Sequence, residues 1–133
     1  MARKLARAVA WLDDVERRLG GGAAAFAADA DNADLAAFHL QLALQECVDL
    51  AAHWVAAEAL PPPASAAATF DALAVAGRLD PALAGTMRGA TSLRNRIAHG
   101  YGDVDLARLH REASEGLPSV RRYLAAVAAA AGL

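Results

Sequence analysis

The chain has 133 residues, enough for one domain with a real core; 56% of them are hydrophobic and only 5% aromatic. A formal net charge of −2 excludes a generic electrostatic binder of nucleic acid, so any such contact must come from a local patch. The single cysteine, Cys47, excludes an internal disulfide and a multi-cysteine zinc site, and it reads as a small core residue in an apolar helix.

Alanine and leucine dominate, and clusters of β-branched residues are missing. That composition predicts an all-α fold: one domain over 1–133, an up-down bundle of about five helices. The opening MARKLARAVAWLDDVERR starts basic but soon meets Asp13, Asp14 and Glu16, and it lacks the apolar stretch of a secretion signal. The closing LAAVAAAAGL is too short to span a bilayer, so a cytoplasmic protein with no membrane partner is expected.

The first helix is expected over about 2–19, where Leu5, Val9, Leu12, Val15 and Leu19 recur at three- and four-residue spacing. Asp13 and Asp14 with Arg17 and Arg18 read as i,i+4 supports on it. Gly20-Gly21-Gly22 ends it, and the following AAAFAADADN is ambiguous between a loose turn and an early helix start. The second and longest helix is expected over about 33–59, with an apolar stripe of Leu40, Leu44, Cys47, Ala51, Trp54 and Val55. Gln41, Gln45 and Asp49 recur every four residues on another face, followed by His53. Pro61-Pro62-Pro63 closes that helix. A short third helix, about 66–76, ends at Gly77. Asp80-Pro81 then starts a fourth, which runs to about His99 with Gly100 in the left-handed capping position. Asp103 or Asp105 caps a fifth helix, which Gly116 and Pro118 are expected to kink or split.

The polar chemistry gathers in SLRNRIAHGYGDVD, residues 92–105. At roughly 100° per residue, Arg88, Ser92, Asn95 and His99 form one polar stripe, opposed by an apolar arc of Leu83, Met87, Ala90, Leu93 and Ile97. Arg94 falls inside the apolar arc and therefore needs a carboxylate, a subunit interface or a cleft. In the plain structural reading it is a salt-bridge partner for Asp49 or Glu46, His99 is a cap and Tyr101 a packing residue. The chemical reading differs: an imidazole at a helix C-terminus suits proton transfer near neutral pH. Arg94 and His99 lie roughly 140° apart around an ideal helix, so they share a site only if the last turn distorts, the arginine reaches round or a second subunit completes it.

Arg94-Asn95-x-x-x-His99-x-Tyr101 resembles the signature of HepT-like proteins in the HEPN superfamily. The resemblance extends to Gln45-Glu46-x-x-Asp49-x-x-x-His53, the proline break, Thr69-Phe70…Leu73…Gly77 and Asp103-Val104-Asp105, covering about residues 5–128. It implies an all-α domain that forms a homodimer, with signature residues of both subunits lining one cleft. It further implies a metal-independent endoribonuclease toxin paired with a minimal nucleotidyltransferase antitoxin, which silences it by adding AMP to the motif tyrosine. Carried over, Arg94 and His99 are the catalytic pair, with Asn95, Arg96 and Ser92 in support and Tyr101 as the modified residue. The partners implied are RNA (transfer RNA among the candidates), the antitoxin and a second copy of the chain. Gly100 and the second cation Arg96 depart from the bare pattern without breaking it. No cofactor is expected, and His39, His53, His99 and His110 are too scattered for a metal motif. The alternative is a non-catalytic module binding RNA or the nucleotidyltransferase; a plain dimerisation domain is a third.

Overall fold

Four of the six helix starts are set by capping side chains. In the computed structural model, which describes all of residues 1–133, the helices are α1 (Ala2–Leu19), α2 (Ala23–Ala28), α3 (Ala30–Ala57), α4 (Ala66–Val75), α5 (Pro81–Gly100) and α6 (Leu106–Ala130). A 3-10 turn, Tyr101–Asp103, joins the last two. Asp29, Ser65 and Asp80 each accept a backbone N–H three residues on, and Asp105 accepts those of Ala107 and Arg108. Each such cap is worth ~1 kcal/mol, because it satisfies a donor that the helix itself leaves orphaned.

Three expectations change. AAAFAA forms a helix of its own, α2, held against α6 by the buried Phe26, and Asp29 starts α3 three residues earlier than the apolar stripe suggests. The last helix is not split. Pro118 sits inside α6 on the exposed side, where the carbonyl that loses its partner is open to solvent, so the helix continues to Ala130. Gly100 is not left-handed: its φ is −155°, and a Cβ placed there would meet no atom within 4 Å. The glycines that do need positive φ are elsewhere, above all Gly21 and Gly22 at +99° and +95°, which turn the chain from α1 into α2.

The long α3 is the axis of the bundle, and each of the other five helices touches it. Alanines at 8, 33, 36, 37, 43 and 51 are buried, which lets neighbouring backbones approach closely. Leu12, Leu50, Phe70, Leu73, Met87 and Tyr123 are among the largest fully buried side chains. The Tyr123 ring meets Phe70 edge-on at 5.4 Å, and its hydroxyl donates to the Cys47 carbonyl at 2.7 Å, tying α6 to α3 inside the core. Cys47 lies beside that bond. Burial, with the Glu46 charge next to it, pushes its thiol up to about 12, so it is an inert core residue. No helix is long and apolar enough to cross a membrane.

Polar contacts fix the register of α1 on α3. Lys4 reaches Glu46 and Asp49, and Arg7 reaches Glu46. Further along, Asp14 gathers Arg17, Arg18 and His39. Burial works to raise the Asp14 carboxyl, but hydrogen bonds and charge from Arg18 and His39 hold it below the usual carboxylate range. Asp13 does not join its helical neighbours as expected; it turns to Arg121 of α6.

Candidate functional site

The motif helix α5 runs antiparallel to α3, so Arg94 comes level with Gln45 and Tyr101 with Asp34. Asp34 and Gln45 are eleven residues apart, which on a helix is about three turns and only ~20° of rotation. One stripe of α3 therefore meets the motif at both points.

Arg94 is half-buried, as its place in the apolar arc requires. It forms no salt bridge with Asp49 or Glu46, because α1 reaches both first through Lys4 and Arg7. Its donors go instead to two neutral amides. Nη1 donates to Gln45 Oε1 at 3.0 Å, while Nη2 and Nε donate to Asn95 Oδ1 at 2.7 and 3.2 Å. Gln45 Nε2 in turn donates to Asp49 at 3.1 Å, which fixes the amide with its oxygen toward the arginine. Arg3, Arg111 and Arg122 also lack a carboxylate, but they are exposed; Arg94 is the one half-buried arginine with its charge unmatched.

His99 lies on the other side of the helix. It is exposed, its ring has no hydrogen-bond partner in the chain, and it lines an open cavity of about 610 Å³ between α5 and the start of α6. Asn95, Arg96 and Ser92 line the same cavity, with Asp103, Asp105, Arg108 and Glu112 opposite. Asn95 alone among the motif residues reaches both sides, bonded to Arg94 and facing the His99 cavity. Arg96 is neutralised: Nη2 meets Glu112 at 2.7 Å, and Arg108 meets the same carboxylate at 3.0 Å. Burial acts to raise Glu112, yet hydrogen bonds from Arg96 and Arg108 and their charges hold it below the usual carboxylate range. No bond joins Arg94 to His99, in keeping with their angular separation.

Tyr101 opens the 3-10 turn, half-buried, and its hydroxyl donates to Asp34 Oδ1 at 2.5 Å. Burial and the adjacent carboxylate push the phenol up to about 12. The sequence offered no direct pointer to Asp34, which reads as one acid among several at a helix start. Its helical register with Gln45 is the signal that would have found it. His53 is exposed on α3 and does not line the His99 cavity. Trp54 is core, though its buried indole N–H has no partner. No group of three or more His, Cys, Asp or Glu side chains is placed to hold a metal ion.

The family model for ribonuclease HepT-like proteins matches residues 10–127. The chain belongs to that family. Among solved structures, the HepT-like fold here is similar to that of a tri-AMPylated HEPN toxin from Shewanella oneidensis in complex with its MNT antitoxin. The TM-score is 0.87 at 21% identity, over 96% of both chains. A mutant of the MntA-HpeT toxin–antitoxin pair gives 0.87 at 22% identity over 96% of this chain and 97% of that one. A toxin–antitoxin structure with AMP-PNP gives 0.85 at 20% identity, over 95% of each chain. At these identities the likeness is one of fold. No curated protein sequence matches the chain.

Proposed function

We propose that this HepT-like chain is a metal-independent endoribonuclease, the toxin of a toxin–antitoxin pair. The observation that carries the reading is Arg94: a half-buried arginine aimed by two amides and left unneutralised, on the same helical stretch as an unpartnered histidine. A protein gains little stability from a cation held this way, whereas a site for phosphate needs one.

RNA carries its own nucleophile. In the proposed step the 2′-oxygen attacks the adjacent phosphorus and the bond to the 5′-oxygen breaks, leaving a 2′,3′-cyclic phosphate and a free 5′-hydroxyl. His99 takes the 2′ proton or protonates the departing 5′-oxygen. Arg94 stabilises charge developing on the phosphoryl oxygens. Asn95 orients the guanidinium, and Arg96 and Ser92 line the approach to His99. Because Arg94 and His99 point to different sides of one helix, the working site is one in which Arg94 of one subunit serves His99 of the other.

Neutralisation would follow from AMP transfer to Tyr101 by a minimal nucleotidyltransferase antitoxin, which would set an anionic group beside the motif where RNA phosphate must lie. The likeness to an AMPylated HEPN toxin in complex with an MNT antitoxin supports this arrangement.

The test is cleavage of total RNA in EDTA by protein whose Tyr101 is shown unmodified by intact mass, with Arg94→Ala and His99→Ala alongside. Cleavage lost in both variants, with cyclic-phosphate ends, is the expected result. An unmodified, folded protein that leaves RNA intact would instead point to the non-catalytic module. Mixing the two variants tests the shared site. A fully exchanged 1:1 mixture would regain about a quarter of wild-type activity if the site is built across the interface, and none if each chain carries its own.

A further inference from the structure

The neutralising reaction needs something that Tyr101 cannot supply by itself. With its phenol pushed up to about 12, only about 1 molecule in 10⁵ would carry the phenolate at pH 7. A nucleophile that rare needs a base within reach of its proton. We propose that Asp34 is that base: its carboxylate accepts the Tyr101 proton as the hydroxyl oxygen attacks a nucleoside triphosphate held by the antitoxin.

This rests on the reading of Tyr101 as the modified residue, and the geometry favours it among the chain's hydroxyls. Tyr101 is the one hydroxyl whose hydrogen bond runs to a carboxylate. Tyr123 is fully buried and bound to the Cys47 carbonyl. The hydroxyls of Thr69, Thr86 and Thr91 donate to helix carbonyls, which cannot take up a proton at neutral pH. Asp34 is exposed and has no ion-pair partner, unlike Asp14, Glu46 and Glu112, so no cation competes for its lone pairs. It lies 67 residues from Tyr101 in sequence, and the register of α3 on α5 brings the two together.

The step balances. A bond forms between Tyr101 Oη and the α-phosphorus, and the bond from that phosphorus to the oxygen bridging to the β-phosphate breaks. Pyrophosphate is the leaving group, and the phenolic proton passes to Asp34 Oδ1. Once Asp34 passes that proton to solvent, neither the ester oxygen nor the carboxylate has one to donate, and the Tyr101–Asp34 hydrogen bond is lost in the product.

The experiment follows AMP incorporation by intact mass, using the cognate nucleotidyltransferase with ATP and magnesium, for wild type, Asp34→Asn, Asp34→Glu and Tyr101→Phe. Asparagine keeps an acceptor oxygen and the shape but cannot take the proton. It is expected to slow transfer about 100-fold, in the range of general-base contributions, with an unchanged melting curve. Glutamate should recover part of the rate. The residual rate of the asparagine variant should climb with pH as phenolate accumulates, while wild type stays level. Transfer by Asp34→Asn at the wild-type rate overturns the role of Asp34 and leaves Tyr101 as the acceptor. A wild-type chain that takes no AMP, or takes it in Tyr101→Phe as well, overturns both readings.

Discussion

Arg94 and Arg96 stand two residues apart on the same helix and have opposite surroundings. Arg96 faces α6 and shares a carboxylate with Arg108; Arg94 faces α3 and meets only amide oxygens. The first is a structural cation whose field is cancelled where it stands. The second is held nearly as firmly, but its charge remains available to an incoming anion. Position in the motif does not by itself separate the two roles. The partner does, and the partner comes from distant chain.

Breaking the comparison outright should have the largest effect. Arg94→Ala is expected to lower kcat/KM on RNA by about 10²–10³-fold, the cost typical of losing one donor to a developing oxyanion, while Arg96→Ala stays within about threefold. Equal losses in the two variants would end the distinction. Gln45→Glu makes Arg94 resemble Arg96 by replacing one nitrogen with oxygen, and it should lower cleavage about 10- to 100-fold as the guanidinium becomes ion-paired. Unchanged cleavage would mean the charge of Arg94 is not what acts. The converse change, Glu112→Gln, frees Arg96 and Arg108. It should tighten RNA binding and make the slope of log K against log salt steeper by about one, as read from titrations at several salt concentrations.

Acid sharpens the contrast with a smaller effect. The Glu112 carboxyl is depressed in the folded protein, so its contribution to stability is present above the ordinary carboxylate range and lost as pH falls through its own lower value. Because Arg96 and Arg108 are partly exposed, that contribution should be no more than about 1 kcal/mol. Urea unfolding of wild type and Glu112→Gln should differ by that amount at neutral pH and converge once acid protonates the Glu112 carboxyl. A gap that widens on acidification would give the shift the wrong sign. The smallest effect belongs to Gly100→Ala, which should change stability by less than about 1 kcal/mol and leave cleavage intact, since no atom opposes the added methyl.

Much of the fold was legible because its punctuation is chemical. Asp80-Pro81 starts α5 and Asp105 caps α6, as those residue types predict. AAAFAADADN was ambiguous because a run of alanines has no hydrophobic period, and only the docking of Phe26 fixes it as a helix. Pro118 misled because the cost of a proline depends on which side of the helix it faces, and sequence does not show that side directly. At the site, the sheltered position of Arg94 could be read from helical angles alone. Its partner could not. Asp49 and Glu46 were reasonable candidates until Lys4 and Arg7, some forty residues earlier, took them up. Asp34 stayed hidden for the same reason: a contact across 67 residues leaves no local pattern.

The Gln45 amide has a further consequence. It conveys the orientation set by Asp49 to Arg94 while keeping the two charges apart, much as an insulator carries load without current. Every glutamine codon becomes a glutamate codon by changing its first base. On the proposed reading, the toxin therefore lies one base from a form whose signature is intact and whose key cation is quenched. Cells that survive the toxin without its antitoxin are a place to look for that base change, in a gene that by its motif still reads as active.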